Sequence, residues 1–451
     1  MWQTGHQHQH RNQPPDPYTP TSGSPDLSVN EYDLTLDYDV GPNRLKGQAS
    51  LTGTVRTGVE QLILDLDRQL RVDEVLLWSD GSPAAVRSFR HRRGKLEVTP
   101  NRVLDAGAAF RLSIRYRGRP RAGNGLWGDI GWEELTDGVL VAGQPTGAPS
   151  WFPCNDVPAD KASYRLSVTV ESGYRVTCNG RLVSREDRGG RETWVYEQPE
   201  PMSTYLATVQ IGRYEYLDLP GDTVPQSLVS PPSLVSRAQS ALTRQDAMMN
   251  LFTDRFGPYP FGRYTVVVAD DGLEIPLEAQ SLSVFGRNHL GSGAASLVAH
   301  ELAHQWFGNS VTAANWRDIW LHEGFATYAE WIWAEAADGA GSDARAEEDL
   351  AWLQQQRQDL QLADPGPESM FDERVYRRGA LALHVLRRSA GDGAFFGLLQ
   401  EWTQKYRHSC AGTRDFLDLA DKVYAAAGIS VSGLLEPWLF ESAVPAVRFS
   451  A

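Results

Sequence analysis

Apolar and polar residues alternate with a period near two through much of 31–213, the signature of half-exposed β-strands. Tyr32-Asp33-Leu34-Thr35-Leu36-Asp37-Tyr38 is the clearest run, and 62–66, 95–98, 111–116 and 164–170 repeat it. Gly, Pro and Asp punctuate these runs at short intervals, which predicts antiparallel sheets packed as a sandwich. Loop-like stretches at 219–222 and 230–233 then mark a change of texture. Helical periodicity dominates beyond them, over 234–256, 295–307, 316–336, 344–361, 376–390, 394–407, 413–427 and 431–442, with one short strand at 264–268. The expectation is an α+β multidomain protein: a solvated, disordered tail over 1–28, an antiparallel β-sandwich over 29–212, and a mainly helical domain over 213–451.

The helical half carries the candidate chemistry. His300-Glu301-Leu302-Ala303-His304 lies within the predicted helix 295–307, and Glu323 lies on the next one. A spacing of four residues is about one helical turn, so His300 and His304 share a face. Two imidazoles so placed, with a carboxylate from a second helix, can hold one zinc ion and leave its fourth position to water. Glu301 stands between the histidines, within reach of that water as its proton acceptor. The arrangement is the mark of a zinc-dependent peptidase. Its bland alternative is a buried helix whose histidines satisfy neighbouring polar groups, but Glu323 in an otherwise apolar stretch is costly unless paired or bound to metal. His322 should point about 100° away from Glu323 and ligate nothing. Trp306, Phe307, Trp316 and Trp320 are expected to clamp the two helices, and Asp318 is a candidate partner for a ligand histidine.

Composition narrows the rest. The 451 residues exceed one typical core, and 41% hydrophobic with 22% charged residues is the balance of a soluble globular protein. No apolar run is long enough to span a membrane, and the first residues do not read as a secretory signal. His6, His8 and His10 in that segment are read as part of the solvated tail. A net charge of −14 argues against nucleic acid as a partner, and the arginines of 87–93 read as a solvated strand edge or turn. The three cysteines, Cys154, Cys178 and Cys410, show no C-x-x-C spacing, which fits a reducing, cytoplasmic setting.

The motifs together resemble the aminopeptidase N family of zinc metallopeptidases, thermolysin-like gluzincins that remove N-terminal amino acids. The resemblance rests on H-E-L-A-H-Q-W-F-G-N from His300, W-L-H-E-G-F-A-T-Y from Trp320, W-F-P-C-N-D from Trp151 with Lys161-Ala162, M-S-T-Y-L from Met202, and V-Y-R-R-G-A from Val375. It covers about residues 30–450. It implies a β-sandwich followed by a thermolysin-like catalytic domain with one zinc per chain, held by His300, His304 and Glu323. Glu301 is the implied general base and Tyr376 the donor to the oxyanion. Glu278 is implied as the carboxylate that grips the free amine of a peptide substrate, with Gln144 reaching over from the N-terminal domain.

One motif departs from the family. Its G-x-M-E-N stretch is replaced by Ile275-Pro276-Leu277-Glu278-Ala279-Gln280, and Glu274 is a rival for the amine-gripping role. The large helical C-terminal domain of longer members is also missing, so the chain looks like a compact two-domain version. A zinc endopeptidase on the same site, a non-catalytic peptide-binding scaffold, and hydrolysis of an epoxide lipid are the competing readings.

Overall fold

The computed structural model describes residues 15–339 and 341–449. The N-terminal domain is built on an eight-stranded sheet in the spatial order Arg181–Arg188, Arg191–Met202, Ala162–Glu171, Leu27–Asp39, Arg44–Val55, Ala109–Gly118, Leu70–Ser79, Ser82–Ala84. The period-two pattern decides its inward face. Tyr32, Leu34 and Leu36 are fully buried and stand opposite Tyr164, Leu166 and Val168. That pair of strands is parallel, whereas an antiparallel sandwich was expected throughout. Strands more than a hundred residues apart in sequence need no hairpin, so nothing local dictates their direction.

Smaller sheets of five and three strands complete the domain, with a core rich in aromatic residues. Tyr38 meets Trp132 edge-on at 4.9 Å, Trp151 meets Phe152 at 4.3 Å, and Tyr116 donates to Trp151 O at 2.9 Å. Arg87, Arg90 and Arg92 belong to the exposed strand Val86–Arg92 at the edge of the three-stranded sheet, as read.

Residues 15–26 correct the described part of the expected disordered tail over 1–28. Asp16 is buried and accepts from Trp316 N at 2.7 Å. The Tyr18 hydroxyl accepts from Gly366 N at 2.7 Å and donates to Asp364. Polarity alone misled the reading, because these side chains satisfy backbone N–H groups of the helical half. His6, His8 and His10 lie outside the described residues.

The second half opens with a four-stranded sheet, Glu215–Leu219, Gln226–Ser230, Tyr264–Ala269 and Leu282–Gly286. Its α-helices are α1 (Val235–Ala241), α2 (Gln245–Phe256), α3 (Ala294–Ala303), α4 (Trp320–Asp338), α5 (Ser342–Gln354), α6 (Glu373–Lys405), α7 (Thr413–Tyr424) and α8 (Val431–Leu439). The single helix expected over 234–256 is two. Thr243 Oγ1 donates back to Gln239 O and Ser240 O at 3.1 and 2.8 Å, a competing bond that breaks the helix. The stretches expected at 376–390 and 394–407 run end to end within α6 as two helical segments separated at Gly391, whose φ of 77° is not helical.

Two features of α6 position the site. At Gly379 its backbone touches that of α4 at Gly324. Arg378 is buried and donates to the carbonyls of Leu360, Pro437, Trp438, Glu441, Ser442 and Ala443, drawing the segment after α8 against the helix.

Candidate active site

Helix α3 buries Val298, Ala299, Leu302 and Ala303, and this fixes its rotation. His300 and His304 consequently emerge together, with ring centroids 4.7 Å apart. Glu323 sits in the first turn of α4, where the helix dipole favours a carboxylate. Its Oε2 lies 3.4 Å from His300 Nε2 and 3.5 Å from His304 Nε2.

Those separations test the expected metal. Ligand atoms about 2.0–2.1 Å from a tetrahedral zinc stand roughly 3.3–3.5 Å from one another. Both carboxylate–imidazole separations are those of atoms that share one such ion, all three donors lie within 4.8 Å of one another, and they form the one group of this kind among the described residues. The tautomers agree. His300 Nδ1 donates to Glu330 Oε1 at 2.8 Å, and His304 Nδ1 donates to Phe307 O at 3.0 Å. A carboxylate and a carbonyl oxygen are acceptors, which assigns the donor role to each Nδ1 and leaves each Nε2 as the atom turned toward a metal.

The electrostatics also call for a cation. Burial opposes charge on every group, yet His304 and the bonds from both imidazoles hold Glu323 well below the usual carboxylate range. Burial would lower His304 too, but Glu323 drives it up to about 9. Glu301 is 5% exposed, and its Oε2 is buried without a hydrogen-bond partner. Burial and the neighbouring Glu278 push it up to about 8. Glu278 is raised by burial as well, and it feels the charges of His304, Glu323 and His300. Three carboxylates facing two imidazoles are offset by a divalent ion better than by protons.

The main chain explains how Glu278 arrives there. Leu277 pairs with Val284 through two hydrogen bonds of 2.9 Å, which lays 277–279 along the sheet edge. Asn309 Nδ2 donates to Glu278 O at 3.0 Å, and Gln305 Nε2 to Ala279 O at 3.1 Å. Glu274, the rival, is exposed. Gln144 follows the strand Gly138–Ala142 of the N-terminal domain, and its Nε2 is buried without a partner. The Tyr376 ring lies nearly parallel to that of His300 at 6.1 Å. Burial, then Glu323, Glu278 and Glu301, raise its phenol well above the ordinary value, so the hydroxyl keeps its proton as a donor.

Several expectations are corrected. Asp318 touches no ligand histidine; it accepts from Thr413 N and Oγ1 at 3.1 and 2.6 Å, capping α7. The histidine partner is Glu330, seven residues after Glu323 on the same helix face and held by Ser296. That spacing was the available signal. The aromatic clamp divides: Phe307 crosses to Phe325 of α4 at 4.7 Å, whereas Trp320, itself in α4, packs on Phe416 of α7, Trp306 on Phe256 of α2 and Trp316 on Tyr205. His322 accepts from Ala313 N at 2.8 Å, which uses its Nε2 lone pair away from the cluster, as read.

Comparison with known proteins agrees with this fold and with zinc as the metal. The Peptidase M1 N-terminal domain matches residues 28–206, and the Peptidase family M1 domain matches residues 240–438. An M1 zinc metallopeptidase from Deinococcus radiodurans superposes with a TM-score of 0.86 at 30% identity, covering 96% of this chain and 98% of that one. A mutant of that enzyme bound to a Tyr-Ser-Ala substrate superposes equally well, at 29% identity over 95% of this chain and 97% of that one. Among sequence relatives, aminopeptidase M1-D of Oryza sativa subsp. japonica is 28% identical over 92% of this chain and 50% of its own length. Leucyl aminopeptidase of Saccharolobus solfataricus is 26% identical over 94% of this chain and 55% of its own length. The chain belongs to peptidase family M1, whose members matched in structure are zinc metallopeptidases. It spans about half the length of the curated relatives it matches.

Proposed function

We propose that this chain is a zinc-dependent aminopeptidase that hydrolyses the first peptide bond of substrates with a free N-terminus. The observation that carries the reading is Glu278, a half-buried carboxylate whose carboxyl is desolvated and feels the charges of His304, Glu323 and His300. A desolvated carboxylate there favours a substrate bearing a protonated amine and disfavours an internal stretch of chain. The unpartnered Nε2 of Gln144 offers a second polar contact from the opposite domain.

His300, His304 and Glu323 would hold the zinc. When bound, zinc acidifies water and polarises a carbonyl oxygen. Glu301, with one carboxylate oxygen free, accepts the proton of the attacking water and returns it to the departing nitrogen. Tyr376 donates its phenolic hydrogen where negative charge gathers on the former carbonyl oxygen. Glu278 and Gln144 hold the amine and so measure one residue from the end.

Among the described residues no helix is long and apolar enough to cross a membrane. Paired assays of a free peptide and its N-acetylated form, with and without chelator, test the proposal. Chelation should stop hydrolysis and zinc restore it, and only the free peptide should be cleaved well. Equal cleavage of both peptides would remove the aminopeptidase reading and leave a zinc endopeptidase.

A further inference from the structure

Helix α3 runs into a tight turn that belongs to the metal site as much as the helix does. In residues 304–310, Asn309 N donates to His304 O at 3.0 Å and Ser310 N to Gln305 O at 3.1 Å. The carbonyl that orients the His304 ring, Phe307 O, is part of this turn. Gly308 takes a φ of 121°, so the next carbonyls leave the helical direction and need partners elsewhere.

Those partners come largely from the other domain. Lys161 Nζ donates to Asn309 O and to Ser310 O, each at 2.9 Å. Tyr205 Oη donates to Gly308 O at 3.2 Å, and Thr312 Oγ1 donates to the same oxygen. Lys161 is partly exposed as a residue, yet burial of its ammonium lowers it to about 8. Among the described residues it makes no ion pair, so its donors are committed to the turn. Enclosing an ammonium without a counter-charge is costly, and the two carbonyls are what offsets it. Asn309 extends the linkage, because its side chain holds Glu278 O and Ala279 O at 3.0 and 3.2 Å.

We propose that Lys161 and Tyr205 are positioning residues for the metal site, fixing from the N-terminal domain the 308–310 turn that aims His304 and, through Asn309, seats Glu278. The inference rests on the metal-site reading above and deepens it: the N-terminal domain takes part in holding the zinc ligand as well as in supplying Gln144.

The test measures zinc affinity by competition with a chelator, together with the visible spectrum of the cobalt(II)-substituted protein and the melting temperature. Tyr205→Phe keeps the ring against Trp316 and removes one bond to the turn; Lys161→Met keeps the stem and removes two. Tyr196→Phe is the matched control, since the Tyr196 hydroxyl donates to Val176 O within the N-terminal domain. Partners that orient a ligand typically contribute about 10–100-fold to metal affinity. Lys161→Met should lose zinc affinity on that scale, Tyr205→Phe several-fold, and both should shift the cobalt bands. Tyr196→Phe should do neither, even where it lowers the melting temperature. If Lys161→Met does not fold, Tyr205→Phe decides the matter alone. Unaltered zinc affinity and cobalt spectrum in Tyr205→Phe would overturn the proposal while the metal site itself stands. An unaltered protein that takes up no zinc would overturn both.

Discussion

Gly324 of α4 and Gly379 of α6 meet backbone to backbone: a Cβ on Gly379 would stand 2.6 Å from Gly324 Cα. The contact brings together the helices that carry Glu323, one residue before Gly324, and Tyr376, three before Gly379. Gly379→Ala should therefore force α6 away from α4. Overpacking of this kind costs about 1–3 kcal/mol of stability. Turnover should fall further than KM rises, because the Tyr376 hydroxyl moves with its helix. Gly397→Ala is the control, since it lies in α6 beyond the break at Gly391 with open space around it. Its melting temperature should hold or rise, because alanine is the better helix former.

Glu301→Gln leaves the three metal ligands intact and removes the proton acceptor. Zinc content measured by atomic emission should stay at one per chain while turnover drops roughly three orders of magnitude. His300→Ala and Glu323→Ala should instead lose the metal. Normal turnover in Glu301→Gln would take the general-base role away from this residue.

Tyr376→Phe deletes one donor and keeps the ring beside His300. Steady-state kinetics should show kcat reduced about 100-fold with a smaller change in KM, since the bond strengthens as charge develops on the oxygen. An effect confined to KM would make Tyr376 a substrate-binding residue.

The two glutamates of the altered motif are separable by their surroundings. Glu278→Ala should lower kcat/KM on free peptides by about 2–5 kcal/mol in the transition state, the usual loss when one member of a desolvated charge pair is removed. Glu274→Ala, at an exposed position, should leave kcat/KM within a factor of two or so. Gln144→Ala should show the selectivity of Glu278→Ala in weaker form, since an amide contributes less than a charge. The reverse order for the two glutamates would move the amine site to Glu274.

Glu330→Gln keeps an acceptor for His300 Nδ1 but removes the negative charge that makes the ring a stronger ligand. Zinc affinity should weaken about 10-fold, with the fold unchanged by circular dichroism. Retention of full affinity would reduce Glu330 to a packing partner.

The strong motifs were legible because each rests on a local spacing. His300, Glu301 and His304 fall on one helical turn, and Tyr32 to Tyr38 alternate on one strand. What escaped depended on contacts between distant segments. Glu330 required both α3 and α4 to be placed before its bond to His300 Nδ1 could be seen. Asp318 lay near the ligands in sequence but is turned toward Thr413, which packs there from 95 residues away. Glu278 and Glu274 could be ranked only weakly from the chain, because Leu277 pairing with Val284 is what turns the segment at the sheet edge.

Asp16 and Tyr18 reach Trp316 and Asp364 across separations of 300 and 346 residues, while Arg378 collects carbonyls as late as Ala443. Contacts of such sequence distance carry a loop-closure cost and form only once both partners have been made. During synthesis the helix bearing Tyr376 cannot satisfy Arg378 until residues 437–443 have emerged, and the early segment must wait for Trp316. The Tyr376 helix is thus braced by residues 437–443, and Trp316, four residues before the helix of Glu323, by Asp16. A chain halted before residue 437 would leave the Arg378 guanidinium without most of its carbonyl partners, and the helix that carries Tyr376 without that brace.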